Sequence, residues 1–254
     1  MKKIKLTVLG LATLLMSIGV FVSCEKEEAN TDNNIESKPF NKNSIERKHI
    51  KVGLKDYGFY HNEAVSMYIE EKLKGDINKL RNKNITEVSS SIVELMSKKH
   101  PSIFNKSDIV AINDYYKGIE KGEDYDFLEY WNTNKREYLA NKLLSVRLYN
   151  FYDDVFKNTL DYNVIISKIG TLKKEGDLTN NERNSLIAFE SVLTSSKEYW
   201  ESTDNTTSRK NPCTPRTIIA DAAVSGVFWM APPVSIFGGA ISSLFTYYSD
   251  ASCE

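Results

Sequence analysis

The sequence predicts an all-α protein, a bundle of about six helices followed by a C-terminal hydrophobic helical hairpin. Apolar residues recur every three or four positions along most of the chain, which is the spacing that gives a helix one buried face. Alternating apolar and polar runs are few, and only 12 Gly and 6 Pro interrupt the 254 residues. The stretch from Ala222 to Tyr248 carries no charge, and Pro232-Pro233 near its middle would break it into the two arms of a hairpin.

The chain is expected to divide into four parts. These are a signal peptide at 1–23, a flexible polar tether at 24–50, the helical bundle at 51–203, and a linker with the hydrophobic hairpin at 204–254. The tether is too poor in apolar residues to offset the entropy of ordering it. Without the signal peptide about 230 residues remain, which is enough for one sizeable core.

The first three helices of the bundle are expected between residues 62 and 122. The first is striped by apolar residues from Val65 to Leu80. The second has Asn84 as its N-terminal cap, with Glu87 completing the capping pattern, and Pro101 stops it. Ser107 is expected to cap the third, which would end near glycine 122.

Three further helices are expected to complete the bundle, and the fourth is expected to be the longest. The fourth, at about 134–157, is apolar on more than one face, which predicts that it is the centre of the bundle. The fifth is expected at about 160–174 and ends before Gly176. Thr179 and Glu182 form a capping box for the sixth. A linker is expected from Glu201.

The predicted hairpin has arms at about 218–230 and 234–248, each shorter than the ~20 residues that span a bilayer. Cys213 and Cys253 bracket it, so a hairpin would bring the two thiols together as a disulfide. Its small residues suit either association in a membrane or close packing on a soluble bundle. An exposed apolar stretch of this size would be unusual on a soluble protein, so docking against the bundle is the expected resting state.

The N-terminus has the layout of a bacterial secretory signal. Lys2, Lys3 and Lys5 precede an apolar run from Leu6 to Val22, and Cys24 follows at its exit. The segment Phe21-Val22-Ser23-Cys24 resembles a lipoprotein box, and Glu25-Lys26-Glu27-Glu28 resembles the acidic export tag of Bacteroidota-type surface-exposed lipoproteins. This resemblance implies an acylated Cys24 and a lipid-anchored protein of the outer membrane that faces the cell exterior.

The body also resembles, more loosely, all-helical lipoproteins of the same bacteria. The resemblance lies in Gly58-x-x-His61-Asn62, in Leu178-Thr179 to Glu182, in the segment SKEYW at 196–200 and in the small-residue-rich C-terminus. It implies no known activity, and it therefore assigns no functional residues.

Few residues suggest chemistry. The three histidines are His49, His61 and His100, and none has a second ligand at a spacing that suits zinc, so we expect no metal and no cofactor. His61, Asn62 and Glu63 form the one compact polar cluster, which is interpreted either as a small-ligand contact or, in preference, as the N-terminal cap of the first helix. The adjacent pairs Glu70-Glu71 and Asp153-Asp154 do not face one substrate and are expected on solvated helix faces.

Six aromatic residues cluster around one connection. They could form an exposed platform for sugars or a partner, but aromatic residues at helical spacing more often line a core, and this is the preferred interpretation. The six are Tyr115, Tyr116, Tyr125, Tyr130, Trp131 and Tyr138.

Net charge and the lack of catalytic motifs limit the classes of function that the sequence supports. Loss of the signal peptide leaves 30 of the 33 basic residues against 34 acidic ones, which gives no reason to expect nucleic acid as a partner. We expect a non-enzymatic surface module that binds an unknown protein or glycan and contacts the membrane through its acyl chains. The alternative is a membrane-acting protein whose hairpin inserts into a target bilayer. An enzyme on extracellular polymer has the least support, because no catalytic motif is present.

Overall fold

The structure is a computed structural model, and every feature described below lies in the residues that it describes. These are 52–81, 83–117, 119, 121, 125–158, 161–205 and 214–248. The predicted signal peptide, Cys24, the tag Glu25 to Glu28, Cys213 and Cys253 lie outside them, so the acylation, export and disulfide predictions stay predictions.

The described part of the chain is all-helical and has no β-strand beyond one isolated bridge, between Asn84 and Lys121. The all-α prediction is therefore confirmed. Nine α-helices are described, with short 3-10 and π-helical turns between them: α1 (Tyr57–Met67), α2 (Ile85–Lys99), α3 (Ile109–Tyr115), α4 (Phe127–Ala140), α5 (Val146–Asn158), α6 (Tyr162–Lys174), α7 (Asn180–Asn205), α8 (Thr214–Val227) and α9 (Gly239–Tyr248).

The first predicted helix is shorter than its apolar stripe. α1 ends at Met67 and continues as a π-helical turn to Lys72. Lys74 and Gly75 then have φ angles of 58° and 74°, which belong to the left-handed region and end a right-handed helix. The rest of the stripe lies in a 3-10 turn at Ile77–Leu80.

The prediction of a single long fourth helix is wrong, because the region contains two helices, α4 and α5, separated by a turn. Lys142 has a φ of 57° in that turn. The Ser145 hydroxyl then accepts a hydrogen bond of 3.2 Å from the amide of Leu148, as an N-terminal cap does. The apolar pattern runs through the turn because the residues on both sides of it are buried.

Helix caps were predicted with mixed success. Asn84 caps α2 through the amides of Thr86 and Glu87, as predicted. The box at the start of α7 is also confirmed, since the Thr179 amide donates to Glu182 and the Glu182 amide donates to Thr179. Before α3 the cap is Asn105, not Ser107, because Asn105 forms a capping box with Asp108.

The centre of the protein is the C-terminal stretch and not the fourth predicted helix. Every residue from Thr217 to Phe228 and from Val234 to Tyr247 is buried. α8 packs on α7 and α9, and α9 also packs on α1. An uncharged stretch gains more from leaving water than α4 and α5, which keep charged residues on one side.

Two further boundaries differ from prediction. α7 extends to Asn205, so the segment from Glu201 begins as helix and not as linker. The second predicted arm begins with a π-helical turn at Val234–Gly238 before α9. No described helix is both long enough and apolar enough to cross a membrane.

Candidate functional site

Side chains from four helices meet around the carboxylate of Asp221 on α8. His61 comes from α1, Ser196 and Trp200 from α7, and Ser243 from α9. All five side chains are fully buried. We refer to these five residues as the Asp221 junction.

The junction arises from hydrogen-bonding side chains that lie on the buried sides of α1, α7, α8 and α9. Ser196 and Trp200 lie four residues apart on α7, so both point to the same side. On α8, Ser225 follows Asp221 by four residues, and its hydroxyl donates to the Ser235 carbonyl at 2.7 Å. The Ser235 hydroxyl donates in return to the Ser225 carbonyl at 3.1 Å. These polar stripes tie the apolar stretch to its neighbours.

Hydrogen bonding to Asp221 is one-sided. Its Oδ2 accepts hydrogen bonds from the Ser196 hydroxyl, from Trp200 Nε1 at 3.3 Å and from the Ser243 hydroxyl at 3.1 Å. Trp200 Nε1 also donates to the Ser243 hydroxyl at 2.9 Å. The other carboxylate oxygen, Oδ1, is buried without a hydrogen-bond partner. One oxygen atom therefore holds the α7 and α9 contacts together.

His61 faces this carboxylate from α1. Its Nε2 lies 3.5 Å from Asp221 Oδ2, and its Nδ1 lies 3.0 Å from the Oδ1 atom of Asn62. Burial alone would lower the pKa of His61, but the negative charge of Asp221 and the hydrogen bond to Asn62 outweigh it and raise the pKa above its usual value. The arrangement brings a buried imidazole on α1 within 3.5 Å of a buried carboxyl group on α8.

The predicted cluster of His61, Asn62 and Glu63 does not act as a unit. These residues lie in the second turn of α1, which begins at Tyr57, so the interpretation as an N-terminal cap is wrong. Asn62 Nδ2 donates to the Ser195 carbonyl on α7 at 2.7 Å. Glu63 instead contacts the C-terminal end of α2. Its carboxylate lies 2.6 Å from Lys99 Nζ and 2.5 Å from His100 Nε2. Three consecutive residues thus fix α1 to three different helices.

The six clustered aromatic residues belong to the core, which is the interpretation that the sequence favoured. Five of its six members are buried, and Tyr130 packs partly buried against them. The Tyr116 hydroxyl donates to the Gly238 carbonyl at 2.6 Å, and both it and the Tyr125 hydroxyl share hydrogen bonds with Ser242. Burial raises the pKa of Tyr116 well above 10, so it stays neutral. These tyrosines are further polar ties to α9.

The adjacent carboxylates Asp153 and Asp154 point to different partners. Asp153 accepts from Lys135 at 2.8 Å and from Trp131 Nε1 at 3.1 Å, and it pairs with Lys157 at 2.6 Å. Burial acts to raise its pKa, but these three donors lower it to about 2. Asp154 pairs with Lys168 on α6 at 2.9 Å. The two carboxylates therefore serve different ion pairs, and Asp153, with 16% of its side chain exposed, is less solvated than the sequence predicts.

The geometry of the junction suits holding helices together better than chemistry on a substrate. A Cβ atom added at Gly239 would meet the Asp221 carbonyl and His61 Cδ2 at 3.2 Å each, so the packing there is tight. Among the described residues, no hydroxyl is hydrogen-bonded to a ring nitrogen of His61, as a serine nucleophile would require. Within the described ranges, no three His, Cys, Asp or Glu side chains group as metal ligands.

One part of the surface stands out beside this closed interior. Phe59 on α1 is 60% exposed, and among the described aromatic side chains it is the only one exposed by more than a third. Tyr60 lies edge-on to it at 5.2 Å and also contacts the ring of His100 at 5.2 Å. We call Phe59, Tyr60, Lys99 and His100 the Phe59 face.

Sequence reasoning missed both features. Asp221 was not singled out, although a single carboxylate at the edge of an uncharged stretch is itself a signal of a paired buried charge. The position of Phe59 on an exposed side of α1 follows from its neighbours: residues 58, 61 and 62 face α7 and α8.

Comparison of the chain with protein-family models, with curated proteins and with solved structures found no significant match.

Proposed function

We propose that this chain is a lipid-anchored protein of the cell envelope that acts as a non-enzymatic binding module, with the Phe59 face as its contact surface. The observation that carries the proposal is the 60% exposure of Phe59 in a protein whose other described aromatic rings are largely covered. Aromatic residues, phenylalanine among them, are enriched in protein interfaces, where a few anchor residues carry most of the binding energy.

The surroundings of Phe59 suit an interface. Tyr60 widens the apolar centre, and its ring also packs on the buried Phe104 at 5.4 Å. Lys99 and His100 form a polar edge on one side, and both contact the Glu63 carboxylate. An apolar centre with a polar rim is the usual anatomy of a protein interface.

The helix that presents Phe59 is held rigidly from behind. The Gly58 amide donates to the Ser191 hydroxyl at 3.1 Å, and the Tyr57 hydroxyl donates to the Trp229 carbonyl at 2.8 Å. A Cβ at residue 58 would lie 2.4 Å from the Ser191 carbonyl, so α1 approaches α7 as closely as glycine permits. A contact residue on a fixed helix loses little entropy on binding.

The partner is proposed to be a protein or a glycan outside the cell. The location part of the proposal depends on Cys24 as the acylated residue and on Glu25 to Glu28 as the export tag. Cys24→Ala is expected to abolish incorporation of labelled fatty acid. Replacing the four tag residues by Ala is expected to preserve acylation but to protect the body from protease added to whole cells.

A photoreactive amino acid at position 59 tests the contact surface on intact cells. We expect position 59 to give a discrete cross-linked product. Val164 on α6, which is 44% exposed, is the matched control position and is expected to give none. Equal cross-linking from both positions, or none from either, would contradict the Phe59 face as the contact surface.

For the C-terminal stretch we propose a helical hairpin that remains docked as core. The support is its burial together with the hydrogen bonds that Tyr116, Trp200 and Ser225 make to it or within it. A chain truncated after Asn211 should then aggregate or lose stability, because the helices beneath would be uncovered. If that truncated chain stays monomeric and melts at the temperature of the whole chain, docking is wrong.

The second candidate is a membrane-acting protein whose hairpin leaves the core and enters a target bilayer. The observation that favours it is the absence of any charged residue from Ala222 to Tyr248. Asp221 and the serines that hydrogen-bond to the surrounding helices oppose it, because they would have to be unpaired before insertion. Leakage of dye from lipid vesicles would select this candidate over the first.

A further inference from the structure

The two ring nitrogens of His61 both face acceptors. Asn62 Nδ2 donates to the Ser195 carbonyl at 2.7 Å, and a carbonyl can only accept, which fixes the orientation of this amide. Asn62 must therefore turn its Oδ1 atom to His61 Nδ1, which lies 3.0 Å away. The other nitrogen, Nε2, faces Asp221 Oδ2 at 3.5 Å. Only a doubly protonated imidazole presents a proton to each acceptor.

We propose that His61 is an imidazolium inside the core and that, with Asp221, it forms a charge lock that keeps α8 and α9 docked against α1. The proposal does not depend on the Phe59 face or on the partner that binds there. It assigns to the pair a regulatory role, since a change in one proton alters how firmly the apolar helices are held.

The link between the two residues depends on charge more than on hydrogen bonding. At 3.5 Å the contact is at ion-pair distance, and His61 Nε2 makes no hydrogen bond of normal geometry. Asp221 Oδ1 and the Thr217 hydroxyl, one turn away on α8, are also buried without hydrogen-bond partners. If His61 loses its proton, the carboxylate stays buried without a counter-charge, which is the costly half of a broken buried pair.

Among the described residues, the other helices around the pair supply no competing charge to it. α7 contributes Ser196 and Trp200, and α9 contributes Ser243 and the Gly239 backbone, all uncharged. Tyr116, directly after α3, feels the field of Asp221, but burial keeps its pKa well above 10, so it remains neutral. Glu63, next along α1, points to Lys99 and His100 on α2. His61 is thus the cation that balances Asp221.

The direction of the pH effect follows from linkage. The pKa of His61 is raised in the folded protein by Asp221. Its stabilising contribution is therefore fully present below the unfolded value of about 6.5 and is lost as the pH rises through the folded pKa. Between the unfolded and the folded pKa of His61, the equilibrium constant for unfolding rises by at most about tenfold per pH unit, because only one proton is released.

Nitrogen NMR of the histidine rings in the unaltered full chain tests the charge state directly. We expect both ring nitrogens of His61 to show imidazolium shifts at pH 6 and to titrate with a midpoint above about 6.5. A neutral ring with one protonated nitrogen at pH 6 would overturn the proposal. Because this measurement needs no variant, it decides the question even where a substitution prevents folding.

Amide hydrogen exchange at one fixed pH near 6 tests the lock. His61→Gln should accelerate exchange in residues 214–248 at least tenfold more than in α6, which does not contribute to the junction. His100→Gln, which removes the histidine paired with Glu63, is the matched control and should leave exchange in 214–248 within about twofold of the parent. Equal acceleration of α6 and of 214–248 in the His61 variant, or the same pattern in both variants, would contradict the lock.

Discussion

Two aspartates of this protein are held by similar donors in opposite surroundings. Asp221 and Asp153 each accept a hydrogen bond from a tryptophan indole, at 3.3 Å and 3.1 Å. Asp221 is fully buried and faces the His61 ring at 3.5 Å, whereas Asp153 keeps 16% of its side chain exposed and binds Lys135 and Lys157.

The difference shows that a carboxylate near the surface adds to the stability of the fold, whereas a buried carboxylate specifies one arrangement of the helices around it. Near the surface, water screens Asp153 and lowers the cost of its charge, so its two lysines add stability directly. In the core, desolvation consumes most of what the charge of Asp221 gains, but any arrangement that separates it from its partners is strongly disfavoured. We infer that Asp153 ties α4 to α5, while Asp221 selects one register for α1, α7, α8 and α9.

The largest effect is expected from Trp200→Ala at the Asp221 junction. The change removes a fully buried indole and two hydrogen bonds, and truncations of this kind cost about 3–5 kcal/mol. Urea unfolding followed by circular dichroism measures it. Trp229→Ala in the turn after α8, where the side chain is partly exposed, should cost clearly less; an equal cost would show that the junction has no special weight.

Gly226→Ala should be the next most destabilising change. A Cβ atom there would lie 2.2 Å from the Tyr152 hydroxyl oxygen and 3.0 Å from Phe189 Cβ, and such overpacking typically costs about 1–3 kcal/mol. Gly170→Ala on α6 is the matched control, because a Cβ there meets nothing within 4 Å and should stabilise by up to about 1 kcal/mol. The melting temperature should therefore fall for Gly226→Ala and rise for Gly170→Ala.

Asp153→Asn should cost roughly 1–2 kcal/mol at neutral pH, because the charge holds two lysines and a partly exposed site reduces the full linkage value. The folded pKa of Asp153 is lowered to about 2. Its contribution is therefore present above the unfolded value of about 3.9 and is lost as the pH falls through about 2. The free energies of unfolding of the parent and of Asp153→Asn, measured with denaturant at pH 7, 4 and 2.5, check this. If the variant loses stability in acid as steeply as the parent does, the prediction is contradicted.

Thr179→Ala should have the smallest effect of the four, about 1 kcal/mol, because it removes the hydroxyl half of the capping box of α7. Thr171→Ala is a suitable control. That hydroxyl bonds the Ser167 carbonyl within α6, where alanine is the better helix former. If both substitutions cost the same in denaturant unfolding, the box does not stabilise α7.

Local sequence rules were reliable where a residue acts on its own turn. Asn84 and Thr179 cap the helices that the sequence predicts, because capping depends on residues within three positions. The same rules failed at Lys142, where a non-glycine residue adopts a positive φ within an apolar pattern that gives no sign of a turn. They also placed the centre of the protein in the wrong helix, since burial is decided by which stretches compete for the core.

The Asp221 junction could not be predicted in the same way. Its members are separated by up to 182 positions, from His61 to Ser243, and no spacing along the chain relates them. The tertiary arrangement alone brings a lone histidine on α1 to a lone carboxylate on α8. The absence of charge in residues 222–248 did predict that this stretch must be covered.

The position of Trp200 gives the protein a built-in optical reporter. Its indole stacks on the ring of Tyr247 with centroids 4.3 Å apart and an interplanar angle of 22°. An indole enclosed in this way emits at shorter wavelength than one in water, and departure of α9 would hydrate it and move its emission to the red. A chain with Trp131→Phe and Trp229→Phe would leave Trp200 as the single tryptophan, so that the position of α9 could be followed in the purified protein without an added dye.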